Sequence, residues 1–213
     1  MKKKITDIQI EGRDACHRIL FLDGERFRRV DAGLITKLGV RVGLEIEEAV
    51  LHKLIQADEI IRAKNYAAEL LKDQVYSKGQ MFVQLEGEGF GQNAIDTTLK
   101  ELEQLGQIKD EKYAQTWIKK RQRSKPKGKK MLRYELLDKG IDPTTVNRTL
   151  ETIDDDDEDQ LALQAAQKQA VRYKSLPSHV AKRRLHNFLL RRGFGYETIQ
   201  KTMRQVLNEV DRK

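Results

Sequence analysis

The chain has 213 residues, 35% of them charged and 6% aromatic, which argues against one large core and for helices with narrow apolar stripes. A formal net charge of +8 points to an acidic partner, nucleic acid being the usual one. The single cysteine, Cys16, excludes an internal disulfide framework and a cysteine-rich zinc site, and in the run "ACHRILFL" it reads as a small buried residue. No window approaches the ~20 apolar residues of a membrane span, and "MKKKITDIQIEG" never reaches a signal-peptide apolar core. A soluble, cytoplasmic protein, acting as a monomer, is expected.

The first 50 residues differ from the rest. "ITDIQI", "HRILFL" and "RFRRV" are short strand-like runs, and Asp23-Gly24 is the pair a two-residue hairpin turn favours. "DAGLITKLGV" then predicts a short helix capped by Asp31 and ended at Gly39. This is a small β-rich module with one helix, expected to pack on the helical region C-terminal to it because alone it would be marginal.

From about Glu47 onward the apolar residues fall at helical spacing as far as Val210. Within this helical region the chain repeats itself. Gly89, Gly140 and Gly193 stand 51 and 53 residues apart. Eight positions before them are Met81, Leu132 and Leu185, and four before are Leu85, Leu136 and Leu189. Directly after come Phe90, Ile141 and Phe194, followed by the sets Ile95/Val146/Ile199, Leu99/Leu150/Met203 and Leu102/Ile153/Val206. The spacing predicts a helix, a turn at the glycine, which accepts a left-handed backbone at no steric cost, and a second helix facing back on the first. Asp142 as N-cap and Pro143 at the first helical position mark that second helix best. A further helix precedes each pair, around Tyr66 to Tyr76, Tyr113 to Arg123 and Leu161 to Tyr173.

The expected fold class is therefore mainly α: a β-rich module over 1–50 and three tandem three-helix repeats over 51–107, 108–155 and 156–213. A solenoid-like array of this kind makes an extended concave surface from repeated small bundles. "RSKPKGKK" and "SLPSH" separate helices inside the second and third repeats, and the acidic run Asp154–Asp159 reads as a solvated linker whose last members start the next helix. Trp117, four residues after Tyr113, is expected in the core of the second bundle, with Tyr66 and Leu70 repeating that arrangement in the first.

No catalytic constellation emerges. "GEGFG" lacks the strand that a phosphate-binding glycine loop needs before it. His179 and His186 could share a helix face but have no carboxylate or cysteine beside them, and His17 and His52 lack evident partners. The acidic run lacks the alternation of a calcium loop. No cofactor or metal is expected, and the reading is not that of an enzyme.

The basic clusters carry more. Lys119, Lys120, Arg121, Arg123, Lys125, Lys127, Lys129, Lys130 and Arg133 follow one another without an acid. A second acid-free stretch, 160–196, contains Lys182, Arg183, Arg184, Arg191 and Arg192. Set against the bland alternative of a solvated helix face, these fourteen are the candidate partner-binding or nucleic-acid-binding residues.

The three helix–(K/R/E)-G-(F/I)–helix turns, "YAQTWIKKR" leading the middle unit and the basic stretch after it resemble the RecX family of recombination regulators. "LDGERFRRVDAGLITKLGVRVGLEI" is similar to the extra N-terminal module of RecX proteins of Gram-positive type. The first repeat departs from the family, reading "VYSKGQMFVQL" where a more basic run is typical. The resemblance implies an elongated, curved helical protein, not an enzyme, that binds the RecA recombinase on DNA and inhibits its ATPase, strand-exchange and co-protease activities in DNA repair and the SOS response. Many moderate contacts along such a polymer would supply avidity. The competing expectation is a regulator that places its helix–turn–helix units directly on DNA. Against it, "QNAIDTTLKELEQL" and "TTVNRTLETI" offer acids and few cations to base edges, and only "YETIQKTMRQV" is better suited.

Overall fold

The structure, a computed structural model, describes residues 2–10 and 15–210, without the side chains of 207–210, so the Val210 side chain of the predicted stripe lies outside the described residues. Four strands open the chain: β1 (Lys2–Gln9), β2 (His17–Leu22), β3 (Glu25–Asp31) and β4 (Glu45–Glu47). They form one antiparallel sheet in the order β3-β2-β1-β4. The β2–β3 hairpin turns on Asp23 (φ 52°) and Gly24 (φ 89°), the two positive φ values of a type I′ turn. Asp23 also accepts from the Lys4 N–H at 2.9 Å, which together with Lys3 holds its carboxyl below the ordinary range.

The short helix α1 (Ala32–Lys37) is capped as expected, the Asp31 side chain accepting from the Leu34 N–H at 2.9 Å. Strand β4 has no counterpart among the expected strands. Three residues, "EIE", are too short to show a two-residue period, and the strand forms because Glu47 and Glu45 stand opposite Lys2 and Lys4 across the ladder. Cys16 is exposed, not buried: it stands before β2 and not within it, and its carbonyl accepts from the Ala32 N–H.

The remaining helices are α2 (Glu48–Asp73), α3 (Lys78–Gly87), α4 (Gln92–Gln104), α5 (Asp110–Ser124), α6 (Lys129–Asp138), α7 (Pro143–Glu151), α8 (Asp155–Ala170), α9 (Ser178–Arg191) and α10 (Tyr196–Val210). A 3-10 turn, Val171–Tyr173, extends α8. The expected helix at 66–76 is instead the second half of the 26-residue α2, which ends at Asp73 and leaves Tyr76 buried in the segment beyond it. The first half of α2 gives Leu51 and Leu54 to the core beneath the sheet, with Ile5, Leu20, Val30 and Ile46. Its second half buries Ala63 and Ala67, and α2 packs on α4.

The chain forms two compact units. One contains residues 1–74 and 81–107, the other residues 75–80 and 108–213. In the second unit each repeat has its own core. Ala114, Ile118, Leu132, Leu136, Ile141, Val146 and Leu150 fill the α5–α6–α7 bundle. Ala162, Ala166, Leu185, Leu189, Phe194, Ile199 and Val206 fill α8–α9–α10. The predicted repeat positions are buried in all three copies, except Phe90 and Met203, which are half-buried. Gly89, Gly140 and Gly193 all have positive φ, and the Asp142 side chain accepts from the Thr145 N–H at 2.9 Å with Pro143 next in the chain.

The junctions inside the second unit repeat as well. Gly79 lies so close to Gly140 that a Cβ on Gly79 would stand 2.5 Å from the Gly140 Cα. Gly128 lies equally close to the Gly193 carbonyl. The Lys78 N–H donates to Asp110 Oδ1 at 2.8 Å, and the Lys129 N–H to Glu158 Oε1 at 2.9 Å. In both places the first turn of a second helix lands on the glycine turn of the next repeat, and an acid at the start of that repeat satisfies its otherwise unpaired N–H. The acidic run is therefore not a solvated linker. Asp154 caps α8, Asp155 opens it and Glu158 is buried at the junction.

Candidate partner-binding surface

The nine cations of the middle repeat fall into two groups. Arg121, Lys127, Lys129 and Arg133 are engaged within the protein. Arg121 donates from Nε to Glu135 Oε2 at 2.9 Å, Trp117 Nε1 donates to the same oxygen at 2.9 Å, and Lys127 pairs with Oε1. The Arg121 guanidinium also lies over the Trp117 ring, 4.4 Å from its centroid, with Lys139 Nζ at 5.6 Å. Burial alone would raise the Glu135 carboxyl, but the hydrogen bonds from Lys127, Trp117 and Arg121 outweigh it and hold it below its ordinary value. Lys129 Nζ meets Asp155 Oδ1 at 2.6 Å, and Arg133 reaches Asn147 Oδ1.

Trp117 is accordingly half-buried at the rim of its bundle, stacked on Tyr113 at 6.2 Å, and not a core residue. Its indole N–H needs an acceptor, which Glu135 supplies at the surface, while Ala114 and Ile118 take the core positions. In the first unit Tyr66 and Leu70 are half-buried too, with Tyr66 6.1 Å from Phe90.

Lys119, Lys120, Arg123, Lys125 and Lys130 are exposed, and their side chains meet no hydrogen-bond or ion-pair partner among the described residues. They lie on the last turns of α5, at its C-terminal cap and at the start of α6. In the third repeat Lys182, Arg183, Arg184 and Arg191 on α9 are exposed in the same way. Arg192 is different. Its Nη1 donates to the Pro126 carbonyl at 3.0 Å, its guanidinium lies 4.9 Å from the Phe188 ring centroid, and burial lowers its pKa.

Arg192 thereby ties the third repeat to the middle linker, where the Gly128 N–H also donates to its carbonyl at 2.9 Å and the Lys130 N–H to the Gly193 carbonyl at 3.2 Å. The two basic stretches, far apart in the chain, meet at this junction. No linear signal announces it. Glu135, Asn147 and Glu158 sit outside the acid-free stretches and reach them only through helix packing.

The other candidates stay apart. "GEGFG" lies between α3 and α4, with no strand before it. His179 is exposed and His186 half-buried, and no cluster of potential metal ligands occurs among the described residues. No helix among the described residues is long and apolar enough to cross a membrane.

Residues 110–150 match the second three-helix domain of RecX, and residues 156–203 the third. The chain is 37% identical over 145 residues to the regulatory protein RecX of Chlorobium phaeobacteroides, spanning 68% of this chain and 93% of that one. It is 27% identical over 207 residues to the regulatory protein RecX of Clostridium perfringens, spanning 96% and 97%. A crystal structure of a regulatory protein RecX shares the fold at a TM-score of 0.74 and 21% identity, over 93% of this chain and 97% of that one. RecX from Lactobacillus salivarius does so at 0.65 and 24% identity, over 70% and 97%. With two of its three-helix domains matched and its similarity to RecX proteins running along nearly its whole length, this chain belongs to the RecX family of regulatory proteins.

Proposed function

We propose that this protein regulates the RecA recombinase, mainly as an inhibitor, by binding the RecA–DNA filament. The RecX relationship suggests the partner, and the exposed cations of the second and third repeats supply the means. The observation that carries the reading is the group Lys119, Lys120, Arg123, Lys125 and Lys130, whose charges no residue of the described chain neutralises. Charges left open in this way attract a phosphate backbone or an acidic protein surface, and no internal ion pair has to be broken to use them. The engaged cations, Arg121, Lys127, Lys129 and Arg133, shape the surface and do not contact the partner through their charge. The four-part division of the chain at residues 50, 107 and 155 is proposed with it, the N-terminal module being an accessory to three repeats.

RecA ATPase on single-stranded DNA, followed while this protein is added, tests the proposal. A stoichiometric fall in ATP hydrolysis is expected. No inhibition at any ratio overturns it, and tight sequence-specific binding to duplex DNA without RecA would instead favour direct DNA regulation.

A further inference from the structure

The third repeat holds an apolar cavity of about 290 Å³ where the end of α8, the "SLPSH" linker, α9 and α10 meet. Ala170, Tyr173, Leu176, Ala181, Leu185 and Val206 line it. α8 presents Ala162, Ala166 and Ala170 to its bundle, and side chains this short leave space near the helix end. The walls are held in place. The Tyr173 hydroxyl accepts from Gln169 Nε2 at 2.8 Å, the Leu176 N–H donates to the Tyr173 carbonyl at 3.0 Å, and the Ala181 N–H donates to the Pro177 carbonyl at 3.0 Å.

An apolar space of roughly 150 Å³ already takes a benzene-sized group, so this one has room for an aromatic or leucine side chain. It falls just short of the range of about 300–1,000 Å³ usual for whole small-molecule ligands, which favours a single anchoring side chain. Its surroundings are cationic. Lys174 and Lys182 also line it, both are exposed, and neither side chain meets a hydrogen-bond or ion-pair partner among the described residues. Lysine stems cover apolar wall while their ammonium groups stay in water. The stretch 160–196, which supplies every lining residue except Val206, contains no acid. The two charges come from separate elements, Lys174 after the 3-10 turn and Lys182 on α9. That suits acids before and after an apolar residue in a chain better than the single head group of a fatty acid.

We propose that this cavity is a docking pocket for one large apolar side chain, aromatic or leucine, carried by an acidic segment of a partner protein. It goes beyond the reading above, which uses open charges alone, and its test needs neither RecA nor DNA.

The test follows the fluorescence anisotropy of a dye-labelled pentapeptide, phenylalanine with two acids on each side, as the full chain is added. Saturable binding is expected. Replacing the phenylalanine by alanine, or the four acids by glutamine, should weaken it by roughly tenfold or more. Ala181→Phe, which fills the cavity and leaves the charges in place, should weaken it as much, and Lys174→Gln with Lys182→Gln should do so from the side of charge. Circular dichroism checks each variant for folding, and Ala170→Leu fills the same space from α8 if Ala181→Phe does not fold. No saturable binding, equal binding of the alanine peptide, or unchanged affinity in a folded cavity-filling variant overturns the proposal. Displacement of the peptide by decanoate at lower concentration than by unlabelled peptide overturns it in favour of a fatty-acid site. Because RecA is absent, the outcome is separable from that of the filament test.

Discussion

Glu135 shows how one residue alters the meaning of its surroundings. It accepts from Trp117, Arg121 and Lys127, so two cations and the ring of the chain's one tryptophan depend on a single carboxylate. Glu135→Gln should lower stability at neutral pH by about 1–3 kcal/mol, the range for breaking charge-assisted hydrogen bonds. The sign with pH follows from its depressed folded pKa. The contribution is fully present above the ordinary value of 4.5 and is lost as the pH falls through the lower folded value. The difference between parent and variant in urea unfolding should therefore be largest near neutrality and shrink in acid. Trp117 emission should report the same loss, and a pH-independent difference would mean that the charge of Glu135 is not what holds the group.

At the scale of the element, the three glycine turns look equivalent in sequence and are not equivalent in structure. All three need a left-handed backbone, at φ 86°, 71° and 79°. Only Gly140 and Gly193 are also closed over by another segment: a Cβ on Gly140 would stand 2.6 Å from the Gly79 Cα, and one on Gly193 would meet the backbone of Met131. Around Gly89 the space is open. Gly89→Ala should thus cost about 1–2 kcal/mol, the backbone term alone. Gly140→Ala and Gly193→Ala should each cost about 1–3 kcal/mol more, because backbone must move. Thermal unfolding of the three variants measures the difference, and equal losses would remove the close approach as a cause. Asp142→Ala, which deletes the cap of α7, should lower the unfolding temperature in the same assay.

At the scale of the whole molecule, sorting the cations decides which substitutions report on function. Lys119→Glu, Lys120→Glu, Arg123→Glu and Lys125→Glu combined should leave stability within about 1 kcal/mol, since exposed, unpaired positions tolerate change. The same variant should weaken inhibition of RecA ATPase more than about tenfold and flatten its salt dependence, each neutralised contact removing counterion release. Arg121→Glu should do the opposite, lowering stability by placing a second carboxylate beside Glu135. A quadruple variant that inhibits like its parent would reduce the cluster to a solvated face.

The repeat, its glycine turns, the Asp23-Gly24 hairpin and the caps at Asp31 and Asp142 were legible in the sequence because each rests on residues within a few positions of one another. Backbone conformation and helix periodicity are local physics. The three-residue β4, the length of α2 and the exposure of Cys16 were not legible, since each depends on what a distant segment presents. The sequence marked two acid-free basic stretches. Tertiary structure alone decided which of their charges stay open, by carrying Glu135, Asn147 and Asp155 to some cations and none to others. It also brought Arg28 of β3 and Arg62 of α2 together on the buried Asp58. Coulombic partnership depends on distance through space, and packing of the sheet and helices sets that distance.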